Sequence, residues 1–148
     1  MMSGQPIIFN YAPFLIESGK IKEFAKALQL NNPVYLDEEI AKSAGYRGIP
    51  APPTFTTVID FWNDRSFYQL FSDFLKLNPN NVLHGEQTYE YYKVMVVGDT
   101  ISAQVRLKDQ FCKKGKNFFL LETVYKNQWN ETVAIGRATI IEMLEVNS

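Results

Sequence analysis

One cysteine and one histidine are all that 148 residues contain of the two side chains most used for zinc binding and thiol chemistry. Cys112 has no second cysteine to pair with, and Cys112 with His84 makes no metal-ligand spacing, so a disulfide scaffold and a zinc site are both excluded. A reducing, cytoplasmic setting is expected. An excess of charge of either sign is also missing: Lys+Arg 15 against Asp+Glu 16 leaves a formal net charge of −1. No global field attracts a polyanion, and nucleic-acid binding is not expected. Absent as well are an apolar run of the roughly eighteen residues a spanning helix needs and a basic leader with an apolar core, so neither a membrane span nor an export signal is expected. Internal repeats and low-complexity tracts are lacking too.

What is present is apolar and aromatic. Hydrophobic residues make up 46% of the chain and aromatics 14%, which is enough for one real core, and the length is too short for two. Residues 1–148 are read as a single domain. The chain is organised around residues 45–61, Gly-Tyr-Arg-Gly-Ile-Pro-Ala-Pro-Pro-Thr-Phe-Thr-Thr-Val-Ile-Asp-Phe. Pro50, Pro52 and Pro53 remove backbone donors and fix φ, which stiffens the loop, and Pro53 suits the first turn of a helix. The β-branched run that follows would suit a strand by propensity. Prolines ahead of an apolar run, and the helical spacing of Phe55, Val58, Ile59 and Trp62, favour a helix instead. A helix apolar nearly all round belongs inside a wrapper.

The rest of the chain supplies that wrapper. Residues 1–20, with Pro6, Pro13 and Gly19, read as an irregular arm with one short strand. Ile21, Phe24, Ala25 and Leu28 then mark one face of a short amphipathic helix, which Asn32-Pro33 stops. A second short helix follows, with Asp37, Glu38 and Glu39 in its first turn and Gly45 beyond its end. The spacing of Phe67, Leu70, Phe71, Phe74 and Leu75 predicts a further helix over 65–76. From Val82 onward the pattern is antiparallel sheet: a Tyr/Val-rich run to Val97, then Ile101, Ala103, Val105 and Leu107 alternating with Ser102, Gln104, Arg106 and Lys108. A lysine turn at 113–116 leads to an apolar run over 118–125, and 132–144 closes as the last strand. Helices before a meander predict an α+β fold, and its exposed sheet edges predict a dimer or a partner subunit.

This order of signals resembles the hot-dog fold, a long antiparallel sheet wrapped around a central helix. More narrowly it resembles the MaoC-like dehydratases, in the branch of FAS1-like or N-terminal MaoC dehydratase domains. Three pieces carry the resemblance: Asn32-Pro33-Val34-Tyr35 with Asp37 and Glu38, the proline stretch from Gly45 to Phe55, and Val82-Leu83-His84-Gly85-Glu86-Gln87 with Gly98-Asp99-Thr100 downstream. The resemblance implies an acyl-thioester ligand, acyl-CoA or an acyl-carrier-protein thioester, and no further cofactor. Active members interconvert 2-enoyl and 3-hydroxyacyl groups with an Asp and a His flanking an Asn-Pro pair. Such chemistry needs a base on water, an acid for the α-carbon, and a donor for the enolate oxygen. Here the family's Asp position falls on Leu30 and its His position on Tyr35, and the His-Gly at the helix start falls on Ala51 and Pro52. Leu30 does not titrate, a phenol near pKa 10 is a poor neutral-pH base, and Pro52 has no N–H to give.

The resemblance therefore implies a non-catalytic subunit, acting as a homodimer or as a heterodimer with a catalytic MaoC-type subunit. Its groove is expected to involve Asn32, Tyr35, Pro53, Thr54, His84 and Gly85, with Tyr35 as a wall. A second reading makes the chain an active (3R)-hydroxyacyl-thioester dehydratase with a relocated base. In it His84 is assisted by Glu86, placed two residues on and hence on the same strand face. Against this stands a plain structural histidine, which the tight packing signalled by Gly85 favours. A third reading is a binding protein for a ligand that is not a thioester. Asp99 reads as turn chemistry, Tyr89, Tyr91 and Tyr92 as core and interface, Lys113, Lys114 and Lys116 as a solvated hairpin tip, and Cys112 as an ordinary thiol.

Overall fold

A computed structural model of the chain describes residues 8–62 and 69–144. Its frame is a six-stranded antiparallel sheet in the order β1-β4-β5-β6-β3, with β2 paired to β4 beside β1. The strands are β1 (Ile8–Asn10), β2 (Phe14–Leu15), β3 (Val82–Tyr91), β4 (Thr100–Lys113), β5 (Lys116–Lys126) and β6 (Thr132–Met143). The alternation read in the sequence sets the faces. Ile101, Ala103 and Val105 of β4 and Phe119, Leu121 and Tyr125 of β5 are buried, and their odd-even neighbours look outward. The β4–β5 hairpin closes through Lys114 and Gly115, both at positive φ, as a two-residue turn matched to strand twist requires.

The buried face holds the helical segments. Helix α1 (Ser18–Ala27) seals with Ile21 and Ala25, and its Phe24 ring stands edge-on to Phe55 at 5.6 Å. The expected second helix is α2 (Glu38–Ser43), capped by Asp37 Oδ1, which accepts from Ile40 N–H at 3.1 Å. The central segment begins as a 3₁₀ turn at Pro53–Phe55 and continues as α3 (Thr56–Phe61). It is helical and inside, as the prolines indicated, but it is not apolar all round. Phe55, Thr56, Ile59 and Asp60 face the sheet, while Thr57, Phe61 and Trp62 are exposed, Trp62 at 74%. One side packs on the strands and the other does not, so the helix is amphipathic.

Two further expectations change in detail. The arm contains two short strands rather than one. The helix expected over 65–76 appears as a π-helical turn at Leu70–Phe74, with Leu70 and Phe71 buried; its start, including Phe67, lies outside the described residues. The run from Val82 ends as a strand at Tyr91, and Met95 and Val96 then cross back to the proline loop, where Ala51 N–H donates to Met95 O at 2.8 Å. No helix among the described residues is long and apolar enough to cross a membrane.

Candidate functional site

A furrow runs between α3 and the inner face of β3. On the helix side Pro53, Thr57 and Asp60 follow at roughly one-turn spacing, so a single stripe faces the strand. Across it stand Tyr91, Tyr89, Gln87 and His84, all paired to inward-facing residues of β6. The half beside the helix start is an open groove of about 320 Å³, mostly apolar, lined by Ala51, Pro52, Pro53, Tyr91, Val94 and Met95, with Tyr92 and Lys93 at its polar side. The other half is an open hollow of about 380 Å³ and is polar, with Thr57, Asp60, His84, Glu86, Gln87 and Tyr89 on its walls. The Tyr91 hydroxyl donates to Pro53 O, and the Tyr89 and Tyr91 rings lie 6.1 Å apart, so these two tyrosines wall the two halves off from each other, and the halves share no lining residue.

At the helix start the apolar half offers few backbone donors, and its one cationic side chain, Lys93, is paired with Glu131. Pro52 and Pro53 carry no amide hydrogen, and the Ala51 N–H is already given to Met95 O. Three consecutive backbone positions at the helix start therefore cannot stabilise a developing oxyanion.

In the polar half the unexpected group is Asp60. It is buried, and its Oδ1 accepts from the Tyr125 hydroxyl at 2.6 Å, while the Tyr89 hydroxyl reaches Oδ2 only at 3.4 Å. The buried Tyr11 hydroxyl is near enough to feel the carboxyl's charge but falls short of hydrogen-bond geometry. Burial pushes the Asp60 carboxyl up to about 7, although the tyrosine contacts pull the other way. Desolvation also raises Tyr11, Tyr89 and Tyr125 above the usual phenol range. Gly136 makes the arrangement possible: a Cβ there would stand 3.0 Å from Tyr89 Cε1 and 3.4 Å from Tyr125 Cε2. Sequence reading passed over Asp60, although an acid in an otherwise uncharged, buried segment was a visible signal.

The anticipated site residues do not converge. Pro53 lines the apolar half, and His84 and Gly85 line the polar half. Thr54 is exposed. Asn32 and Tyr35 belong to the α1–α2 connection and line neither half; the Asn32 side chain accepts from Val34 N–H, and Tyr35 packs on the core. The expected facing of His84 and Glu86 is corrected by a β-bulge at Gly85. His84 pairs with inward Ile140, and Glu86 pairs with the adjacent Thr139, so one extra residue turns Glu86 to the outer face. There it borders a trough with Lys108, Glu122 and Arg137, although as a strand-edge residue it also touches the rim of the polar half beside His84. Partial burial lowers the His84 imidazole below its ordinary 6.5. Asp99 does turn chemistry, as expected: buried at 2% exposure, it accepts from Val96 N–H, Arg47 and Gln128.

A helix cradled by an antiparallel sheet, beside a furrow with a proline-capped mouth, defines a MaoC-like hot-dog dehydratase domain. Solved structures of that fold superpose over nearly the whole chain. They include the C-terminally truncated HadBC (3R-hydroxyacyl-ACP dehydratase) complex of Mycobacterium tuberculosis, with TM-score 0.77, 22% identity, and 93% and 96% of the two chains covered. The ChsH1–ChsH2 complex of the same organism matches with TM-score 0.75 and 20% identity over 98% and 90%. The model of the FAS1-like dehydratase domain region matches residues 4–135, and the chain belongs to that family. Among its relatives is a UPF0336 protein of Thermobifida fusca, 31% identical over 111 residues, 75% of this chain and 72% of that one. Another, from Saccharopolyspora erythraea, is 28% identical over 122 residues, 82% and 77% of the two chains.

Proposed function

We propose that this protein is the non-catalytic member of a hot-dog dehydratase or hydratase, binding an acyl thioester, acyl-CoA or an acyl-carrier-protein thioester, beside a catalytic hot-dog partner in a reducing cytoplasm. The observation that carries this reading is the helix start: Pro52 and Pro53 lack amide hydrogens and the Ala51 N–H is spent, while an apolar groove of about 320 Å³ lies directly against it. Leu30 and Tyr35 at the acid and base positions of the family motif support it. A groove whose helix-start amides at 51–53 are missing or spent can hold a chain but does not present them to an enolate oxygen.

The partner would meet the free edge at β3, a ten-residue strand that pairs only with β6 among the described residues. An edge of that length invites another strand. A homodimer or a heterodimer with a catalytic MaoC-type subunit would satisfy it, in keeping with the two-subunit HadBC and ChsH1–ChsH2 complexes.

Crotonyl-CoA hydration by the pure protein, followed at the enoyl absorbance, is the direct test. No rate above background is expected, together with thermal stabilisation by acyl-CoAs and by neither nucleotides nor free coenzyme A. Robust hydration would overturn the non-catalytic assignment and point to the second reading, an enzyme with a relocated base at His84. Stabilisation by other ligands alone would overturn the thioester.

A further inference from the structure

The apolar groove at the helix start adjoins a second open hollow, of about 530 Å³, and Lys93 and Val94 line both. The walls of this hollow come from residues 45–47 and from the turn between β5 and β6, and they carry Tyr46, Arg47 and Trp129. The turn is held from within. Asn127 is buried, and its Oδ1 accepts from the N–H groups of Trp129 and Glu131, each at 3.1 Å, while its Nδ2 donates to Glu131. Buried Asp99 accepts from Gln128 Nε2 at 3.0 Å through Oδ1 and from the Arg47 guanidinium at 2.8 Å through Oδ2. Arg47 Cζ in turn lies over the Trp129 ring, 5.1 Å from its centroid. One buried carboxylate therefore fixes the arginine and, through Gln128, the turn that presents the tryptophan.

This preset indole is 59% exposed, and Tyr46 and Val94 beside the same hollow are exposed as well. Contiguous apolar surface of this kind marks a binding site more than a single exposed ring does, and rigid aromatic groups bind without a large ordering cost. Charge in the hollow is already balanced: Arg47 is paired with Asp99 and Lys93 with Glu131. What is left to a ligand is stacking area, one indole with a guanidinium plane and a phenol ring near it. Such a surface selects a flat heteroaromatic ring rather than a bare anion.

We propose that the hollow holds the adenine ring of a coenzyme A thioester, stacked against Trp129 beside Arg47 and Tyr46, with the acyl end in the adjoining groove. The proposal rests on the acyl-thioester reading above and chooses between its two ligands, because a carrier-protein thioester brings no purine. One stacked ring is too weak to register for free coenzyme A or a nucleotide in a thermal shift. It adds to affinity once the acyl end is seated, because the second contact is then intramolecular.

The test uses the full chain and compares decanoyl-CoA with S-decanoyl-pantetheine, the same thioester without the nucleotide. Decanoyl-CoA should bind about tenfold more tightly, and should still do so in about 1 M salt, where contacts between exposed charges are screened. In a Trp62→Phe background, which leaves Trp129 as the one indole, decanoyl-CoA should quench the fluorescence and the pantetheine ester should not. Trp129→Ala should cut the preference to about twofold and leave affinity for the pantetheine ester unchanged. Trp129→Phe should keep most of the preference, which separates stacking from a fault in folding. Equal affinity for the two thioesters, a preference that vanishes in salt, or one that Trp129→Ala leaves intact overturns the proposal. Should neither thioester bind, the acyl-thioester reading fails by itself. Millimolar adenosine 3′,5′-bisphosphate then decides the hollow: saturable quenching of Trp129 supports a purine site, and none overturns it.

Discussion

Replacing Asp60 by Asn should make the protein more stable at pH 8 and leave it little changed at pH 4. In the folded chain burial holds the carboxyl up to about 7 against an ordinary 3.8, so over that interval the unfolded chain releases a proton that the folded chain keeps. A raised carboxyl of this kind contributes its stability fully below about pH 4 and loses it progressively as the pH climbs to about 7. At about 1.4 kcal/mol for each pK unit, roughly three units amount to about 4 kcal/mol. Asparagine fills the same volume, accepts from the Tyr125 hydroxyl and never ionises, so its stability has no such slope. The gain at pH 8 over pH 4 should appear as about 4 kcal/mol in urea unfolding, or roughly 10 °C in melting temperature for a chain of this size. The difference between the two proteins is the quantity to read, because His84, whose imidazole is lowered by burial, tilts both curves the opposite way between its folded pKa and 6.5. A difference that stays constant from pH 4 to pH 8 would refute the reasoning: Asp60 would then be ionised in the folded state, with compensation that the contacts to Tyr125 and Tyr89 do not supply.

Gly136→Ala should cost about 1–3 kcal/mol, because the new methyl presses on the Tyr89 and Tyr125 rings, and it should shift the pH slope set by Asp60; unfolding curves at two pH values check both. Gly85→Ala should cost only about 1 kcal/mol despite a closer approach of 2.9 Å, since the atom met is Ile141 Cδ1, the free end of a half-buried side chain; equal losses at the two glycines would contradict this. Asp99→Ala should cost about 2–4 kcal/mol, measured by urea unfolding, because the buried Val96 N–H, Arg47 and Gln128 lose a shared acceptor. Asp99→Asn, which retains one acceptor oxygen, should lose about half as much.

Much of the frame was legible because period and punctuation are local properties. The two-residue alternation of Ile101, Ala103, Val105 and Leu107 settled the inner face of β4, and Pro53 announced the start of the central helix. The facing of His84 and Glu86 was not legible in the same way. Alternation counts residues, and a bulge adds one without any change in composition, so the inference failed at the single point where Gly85 permits the strand to close on Ile141. Asp60 was hidden for another reason. Its partners come from β3, β5 and the connection between β1 and β2, so its environment is assembled only by tertiary packing. Asn32 and Tyr35 were grouped with the furrow by a motif's order along the chain, while the fold leaves Asn32 to cap its own turn.

The proline loop ties these observations together. Pro50, Pro52 and Pro53 make the entry to α3 rigid without drawing on hydrogen bonds, and the same rings strip the helix start of the amides that a reacting thioester would need. Restoring one amide by Pro52→Gly would loosen the loop and still leave Leu30 and Tyr35 where an acid and a base would stand. Rigidity and amide donors therefore compete for the same few positions, and on the proposed reading this chain has rigidity there. What remains chemically distinctive is set one turn and more down the helix, at Asp60, where a carboxyl is buried among tyrosines.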